Sequence, residues 1–352
     1  MAISIKELLK YSLESGASDL HVSEGSIPMV RINGEMQKLQ LPKVNQGLMG
    51  QIMDHVMDKN QQEMFHDRME IDFSTKLDGY GRFRVNFFYQ LNGIAGVFRT
   101  IPSEILSVEE LNLPPFINDL ALIDRGLVLL TGPTGSGKST TLAAMIDHVN
   151  DLRQRHIITV EDPVEYYHTT KNCLINQREL GANTRSFSNA LRAALREDPD
   201  IILVGGMRDL ETIQLALTAA ETGHLVLSTL HTSSSAKTID RIIDVFPPGQ
   251  KAQIRSMLSE SLVAVVAQKL LPTKDGRGRV PASEILVANS AVRNLIREDK
   301  IYQLPTVLQS GGTEGMQTLD QDLQRLLMQG MITRDDAAHI ADNPENFRRS
   351  IL

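Results

Sequence analysis

The chain has 352 residues, 22% of them charged and 41% hydrophobic, with a formal net charge of -7. That length exceeds what one hydrophobic core usually serves, so two domains are expected, and the acidic balance argues against a protein that grips nucleic acid through a broad basic surface. The single cysteine, Cys173, excludes an internal disulfide framework and fits a reducing compartment, and no run approaches the roughly 18 apolar residues of a membrane span, so any membrane role has to run through partners.

Ser4 followed by Glu7 makes a capping-box pattern, with Ile3 and Leu8 placed for a hydrophobic staple, so a first helix is expected to about Ser15, stopped by Gly16. Lys6, Glu7 and Lys10 interrupt this segment, and no secretory leader is expected. Residues 19–22, 28–32 and a run to Leu39 read as strands, with Asn33-Gly34 as a hairpin turn. A polar helical stretch is expected over about 46–66. Strands resume at 70–75 and turn at Asp78-Gly79. Over 82–87 the alternation is strict, with Phe83, Val85 and Phe87 toward a core and Arg82, Arg84 and Asn86 outward. On pattern alone those arginines are either a solvated strand face or a binding face. Asn92-Gly93 turns the chain into a strand over 94–99. Prolines at 102, 114 and 115 then suggest a linker with a short helix, to about Leu122.

Beyond it, apolar runs at 127–130, 156–160, 201–204 and 225–230 alternate with helical patterns, as in a parallel sheet covered by helices. The first run leads into Gly132-Pro133-Thr134-Gly135-Ser136-Gly137-Lys138-Ser139, and a helix-favouring segment follows over 140–146. All eight positions fit a phosphate-binding loop. Its glycines let backbone N–H groups point at phosphate oxygens, Lys138 reaches the terminal phosphates, and the Ser139 hydroxyl ligates Mg²⁺. Residues 251–268 place Ile254, Met257, Leu258, Leu262 and Val265 at helical spacing, expected as a core helix. Leu319, Leu323, Leu326 and Leu327 repeat that spacing, Gly330 closes the helix, and Thr333 caps another.

Three further segments lie at expected carboxyl ends of strands, where open α/β sheets bind ligands. Val160-Glu161-Asp162-Pro163-Val164-Glu165 gathers three carboxylates that suit Mg²⁺ or an attacking water. The run over 201–204 looks like the strand that delivers an acidic residue to the metal in a phosphate-loop ATPase, yet it ends in Gly205-Gly206, and Asp209 follows three positions later. His224 and His231 bracket the strand at 225–230, too far apart for one tight metal site. His231 is either a γ-phosphate sensor or an ordinary surface or core histidine.

With these segments in this order, the chain resembles the secretion-ATPase superfamily, and within it the type IV pilus retraction ATPases. Glu161 to Glu165 match the family's aspartate box, 201–209 its Walker B segment, and Thr222 to His231 its histidine box. Ala17-Ser18-Asp19-Leu20-His21 and Phe98-Arg99-Thr100-Ile101-Pro102 are also similar to family motifs, and Ala291-Val292-Arg293-Asn294-Leu295-Ile296-Arg297-Glu298 differs by one conservative change from the retraction signature AIRNLIRE. That signature separates these proteins from extension, type II secretion and type IV secretion relatives.

The resemblance implies an α/β fold: a RecA-like P-loop ATPase domain over 121–352, with a C-terminal helical region, an N-terminal α+β PAS-like domain over 1–100, and a linker over 101–120. It implies a cytoplasmic homohexamer, peripheral to the inner membrane at the pilus base, that touches a platform protein and binds no nucleic acid. ATP would be held by Gly132, Thr134, Gly135, Ser136, Gly137, Lys138, Ser139 and Thr140, with Mg²⁺ at Ser139. Arg84 and Arg99 would reach its phosphates, Glu165 would orient water beside Glu161, and His224 and His231 would complete the histidine box. Where the family carries the Walker B glutamate this chain has Gly206, so slow hydrolysis is expected. The alternative is a non-hydrolysing or weakly active accessory ring subunit.

Overall fold

A computed structural model describes residues 4–32, 34–77, 81–102, 104–342 and 344–350, without the side chains of Asn346 and Ser350. The staple at Ile3 and the turns at Asn33-Gly34 and Asp78-Gly79 rest on residues outside that set. The chain divides into two compact units, Met1–Glu104 with Glu165–Tyr167, and Ile105–Val164 with His168–Leu352.

The first unit opens with α1 (Ile5–Glu14), where the Ser4 hydroxyl accepts from Lys6 N at 3.3 Å rather than closing a capping box with Glu7. Strands β1 (Asp19–Ser23), β2 (Met29–Ile32) and β3 (Glu35–Lys38) follow, then α2 (Gln46–Val56) and α3 (Lys59–Arg68). The single helix expected over 46–66 is two, because Asp58 and Gln61 form a capping box that starts a new helix. Strands β4 (Glu70–Leu77), β5 (Gly81–Gln90) and β6 (Gly93–Ile101) complete an antiparallel sheet in the order β3-β2-β1-β6-β5-β4. Phe83, Val85 and Phe87 are fully buried, as the alternation requires, and Phe87 meets Phe98 edge-on at 5.6 Å between ring centres.

In the second unit, α4 (Phe116–Ala121) buries Ile117, Leu120 and Ala121 in the core, so much of the expected linker packs into this unit. Then come β7 (Gly126–Thr131), α5 (Lys138–Leu152), β8 (His156–Glu161), β9 (Leu174–Glu179), α6 (Phe187–Ala194), β10 (Ile201–Val204), α7 (Leu210–Glu221) and β11 (Leu225–Leu230). After α8 (Ser235–Asp244) and α9 (Lys251–Ser261) the chain forms β12 (Leu262–Pro272) and β13 (Arg279–Val287). Helices α10 (Ser290–Arg297), α11 (Leu304–Ser310), α12 (Leu319–Met328), α13 (Arg334–Ile340) and α14 (Pro344–Ser350) finish the unit. Gly330 at φ 70 ends α12, and the Thr333 hydroxyl caps α13.

The sheet runs β13-β12-β7-β11-β10-β8-β9, parallel except for β13. The chain leaves β7, passes two strand positions to β8, adds β9 at the edge beyond it, works back through β10 and β11, and then crosses to the far side of β7 as β12. This reversal places the carboxyl ends of β7, β10 and β11 beside one another, which is where such sheets bind ligands.

One expectation fails here. The helix expected through residue 268 stops at Ser261, and Leu262 and Val265 belong to β12. Residues 262–267 pair in parallel with β7, and 264–272 pair antiparallel with β13. A strand buried on both faces has no period of two to announce it, so its leucine and valine spacing coincided with that of a helix.

Candidate nucleotide-binding site

The loop after β7 takes a shape that only glycine permits at three positions. Gly132, Gly135 and Gly137 stand at φ 145, 79 and 87. A Cβ on Gly132 would lie 2.3 Å from the Gln268 carbonyl oxygen and 2.6 Å from Ser136 Oγ, so no side chain fits there. Gly137 is the N-cap of α5 and gives that fifteen-residue helix no side-chain cap, and the positive end of a helix dipole favours an anion. Lys138 is buried, and its Nζ donates to the carbonyls of Gly132 and Pro133, each at 2.9 Å. Ser136 Oγ is buried without a hydrogen-bond partner, and so is Thr131 Oγ1 at the end of β7. A buried hydroxyl with no partner costs roughly 1–3 kcal/mol, so such an atom is expected to meet a ligand. Thr134 is exposed on the loop, and Ser139 and Thr140 are half-buried in the first turn of α5. These groups fit the triphosphate and Mg²⁺ that the loop pattern calls for.

The neighbouring strand ends supply the rest. Glu161 closes β8, its Oε1 accepting from Thr159 Oγ1 at 2.6 Å and Gln177 Nε2 at 3.3 Å. Beside it, Gly205 N donates to Val160 O at 2.8 Å and Gly205 O accepts from Thr229 Oγ1 at 2.8 Å, pinning the end of β10 between β8 and β11. Gly206 is buried just beyond. Asp209 does not take over its role. It is the N-cap of α7, its two oxygens accepting from Thr212 N at 2.9 Å and Thr212 Oγ1 at 2.7 Å. His231 follows β11, where burial first, and then the charges of Lys138 and Arg208, lower its pKa. The imidazole is exposed at the phosphate-loop edge of the sheet, where partial burial and the fields of Lys138 and Arg208 disfavour its protonation.

Residues 1–339 of the 352 match the model of the type II/IV secretion system protein family. The chain belongs to that family. It is 54% identical over 345 residues to the type IV pilus retraction ATPase PilT of Pseudomonas aeruginosa, covering 98% of this chain and 100% of that protein. It is also 54% identical over 348 residues to a twitching motility protein of Neisseria gonorrhoeae, covering 99% of this chain and 93% of the relative. A crystal structure of the pilus retraction motor PilT with bound ADP superimposes with a TM-score of 0.92 at 46% identity, covering 99% of each chain. The fold of this secretion-family chain is thus α/β and RecA-like, as expected.

Not every residue singled out in this secretion-family sequence gathers at that edge. His224 precedes β11, at the opposite end of the strand from His231 and roughly 20 Å away along it. Its ring nitrogen lies 2.9 Å from the Ala219 carbonyl, and its own carbonyl accepts from Gly126 N at the start of β7. Within this unit His224 closes the amino edge of the sheet. Glu165 is exposed and grouped with the first unit. Arg84 and Arg99 lie in that unit directly opposite each other across β5 and β6. Like charges so placed repel, and two carboxylates offset them. Arg84 binds Asp72 through both Nε and Nη2, the shortest contact 2.6 Å, and Arg99 Nε binds Asp19 at 2.9 Å. Of the outward face read from alternation, Arg84 is thus paired with a carboxylate, and Arg82 stands over the Tyr167 ring at 4.1 Å. Two participants escaped the sequence reading, Arg208 and Gln268. Arg208 lies inside the segment matched to Walker B but was given no role of its own, and Gln268 stands in no recognisable motif, so that only strand order brings it to the loop.

Proposed function

We propose that this chain is a motor ATPase of type IV pilus retraction, working as a ring of six copies at the cytoplasmic side of the inner membrane. Hydrolysis of ATP drives pilin subunits out of the fibre base, through contact with an inner-membrane platform protein. The observation that supports the reading most directly is the glycine-shaped loop with its uncapped helix, buried Lys138 and partnerless Ser136 hydroxyl, carried on a chain similar over its full length to a pilus retraction ATPase. Lys138 and the first amides of α5 bind and orient the phosphates. Ser139 would hold Mg²⁺, which would supply charge neutralisation to the phosphates. By their match to the family's motifs, Arg84 and Arg99 are the arginines assigned to the phosphates, and Glu165 and Glu161 the carboxylates assigned to the attacking water. His231, neutral at physiological pH, accepts or donates at the γ-phosphate end, and His224 serves the histidine box from the other edge of the sheet.

A second reading, a weakly active accessory subunit of the ring, is favoured by Gly206, which offers no carboxylate, and by Asp209, which is committed to capping α7. The two separate in cells that lack their retraction motor. Rescue of twitching by this chain, with a six-copy mass in ATP, supports the motor. Rings that bind ATP yet fail to rescue, both as they stand and with Gly206→Glu, support the accessory subunit. A folded chain that binds no ATP overturns both.

A further inference from the structure

We propose that Gln268 is the positioning residue of the phosphate loop, the group that holds its backbone in the shape a nucleoside diphosphate or triphosphate requires. This rests on the nucleotide-binding reading above and extends it to a residue on a different strand. Ala267 of β12 pairs with Thr131, the last residue of β7, so Gln268 stands where the loop departs. Its side chain is buried, with 2% of its surface exposed. Nε2 donates to the Ser136 carbonyl at 2.8 Å, and Oε1 accepts from Thr141 Oγ1 at 2.9 Å. Thr141 Oγ1 also lies 3.1 Å from Gly137 O. One neutral amide thus ties the middle of the loop to the first turn of α5.

The consequence follows from peptide geometry. In a trans peptide the C=O of one residue and the N–H of the next point in opposite directions. Anchoring Ser136 C=O toward β12 turns Gly137 N–H away from β12, to the concave side of the loop where amides gather around an anion. The same side chain enforces glycine at 137, since a Cβ there would lie 2.8 Å from Gln268 Nε2. Only an uncharged amide does this. A glutamate keeps the acceptor for Thr141 but has no donor for Ser136 and adds negative charge beside an anion site, while lysine or arginine has no acceptor.

The test uses the full chain, ADP as the probe, and the variants Gln268→Met, which removes both bonds, and Gln268→Glu, which removes only the bond to Ser136. Gln268→Met is expected to weaken ADP binding about 10-fold, the order of one lost hydrogen bond to a buried carbonyl, and Gln268→Glu by more, since its carboxylate also repels the anion. Hydrogen exchange separates positioning from packing. ADP-induced protection of the peptide spanning 132–141 is expected to fall in both variants, with exchange in β7, β10 and β12 of the free protein unchanged. A folded Gln268→Met that binds ADP as tightly as the parent overturns the proposal, as does loosening of β7 and β12 without any change confined to the loop. If Gln268→Met fails to fold, Gln268→Leu, uncharged and unable to make either bond, decides in its place. A parent chain without ADP affinity sinks the nucleotide reading itself, and Gln268's role with it.

Discussion

Gly206→Glu is expected to raise the rate of ATP hydrolysis without unfolding the chain. The backbone at 206 lies outside the left-handed region, and a Cβ there meets only Arg208, with Nε at 3.5 Å and Cγ at 3.9 Å. Those are ordinary contacts. At the preceding glycine the same addition would press on Val160 O and Glu161 Cα, both at 3.2 Å. Replacing glycine where the conformation is compatible also removes freedom from the unfolded chain, a gain of about 0.4–1 kcal/mol. The new carboxylate would sit at a buried position beside the Arg208 guanidinium, which offsets part of its desolvation. A positioned general base contributes about 10²–10⁴-fold, equivalent to about 2.7–5.5 kcal/mol of barrier. Phosphate release by the purified chain measures it, with Gly206→Gln as the control that adds the side chain without the base. A glycine chain that releases phosphate as fast as the glutamate chain, or a glutamine chain that matches the glutamate one, would refute the assignment of this position.

Two pH effects follow from the buried His168 and from His231, which is exposed just after β11. His168 is buried, its Nδ1 has no partner, and burial lowers its pKa to about 4. Protonation is disfavoured in the folded chain, so the stability this group contributes is whole above its unfolded pKa near 6.5 and is lost as pH falls toward 4. In urea titrations the parent is expected to lose about 2–3 kcal/mol more than His168→Leu between pH 7 and 4.5, and parallel pH dependences in the two proteins would contradict this. At the site, burial, Lys138 and Arg208 all depress the His231 pKa, so removing one cation makes protonation easier. In the Gly206→Glu background, Arg208→Ala is therefore expected to move the acid limb of the phosphate-release profile to higher pH. An unmoved limb would detach His231 from hydrolysis.

Much of the fold was legible because it rests on local rules. The alternation at 82–87 put Phe83, Val85 and Phe87 inside the first sheet, the apolar runs marked four parallel strands, and Gly330 and Thr333 marked helix ends. The split at Asp58 was written in the sequence too, as an Asp three residues before a Gln, and was lost in an evenly polar stretch. Roles within the site were less legible. Asp209 as a spare carboxylate and Asp209 as a helix cap look the same until Thr212 is seen to take both its oxygens. The two histidines of one box, by contrast, were already legible as bracketing a strand, and β11 sets them at opposite edges of the sheet.

The phosphate loop itself was determined by sequence alone, since its glycines, lysine and serine act at fixed offsets along one stretch of backbone, where φ limits and peptide dipoles are local physics. What holds that loop was decided only by tertiary structure. Residues 262–268 carry a spacing that fits a helix as well as a buried strand, and pairing with β7 and β13 selected the strand. That selection sets Gln268 against Ser136, 132 residues away along the chain, at 2.8 Å. Strand pairing is a contest among distant segments for buried backbone hydrogen bonds, and no local pattern records its outcome.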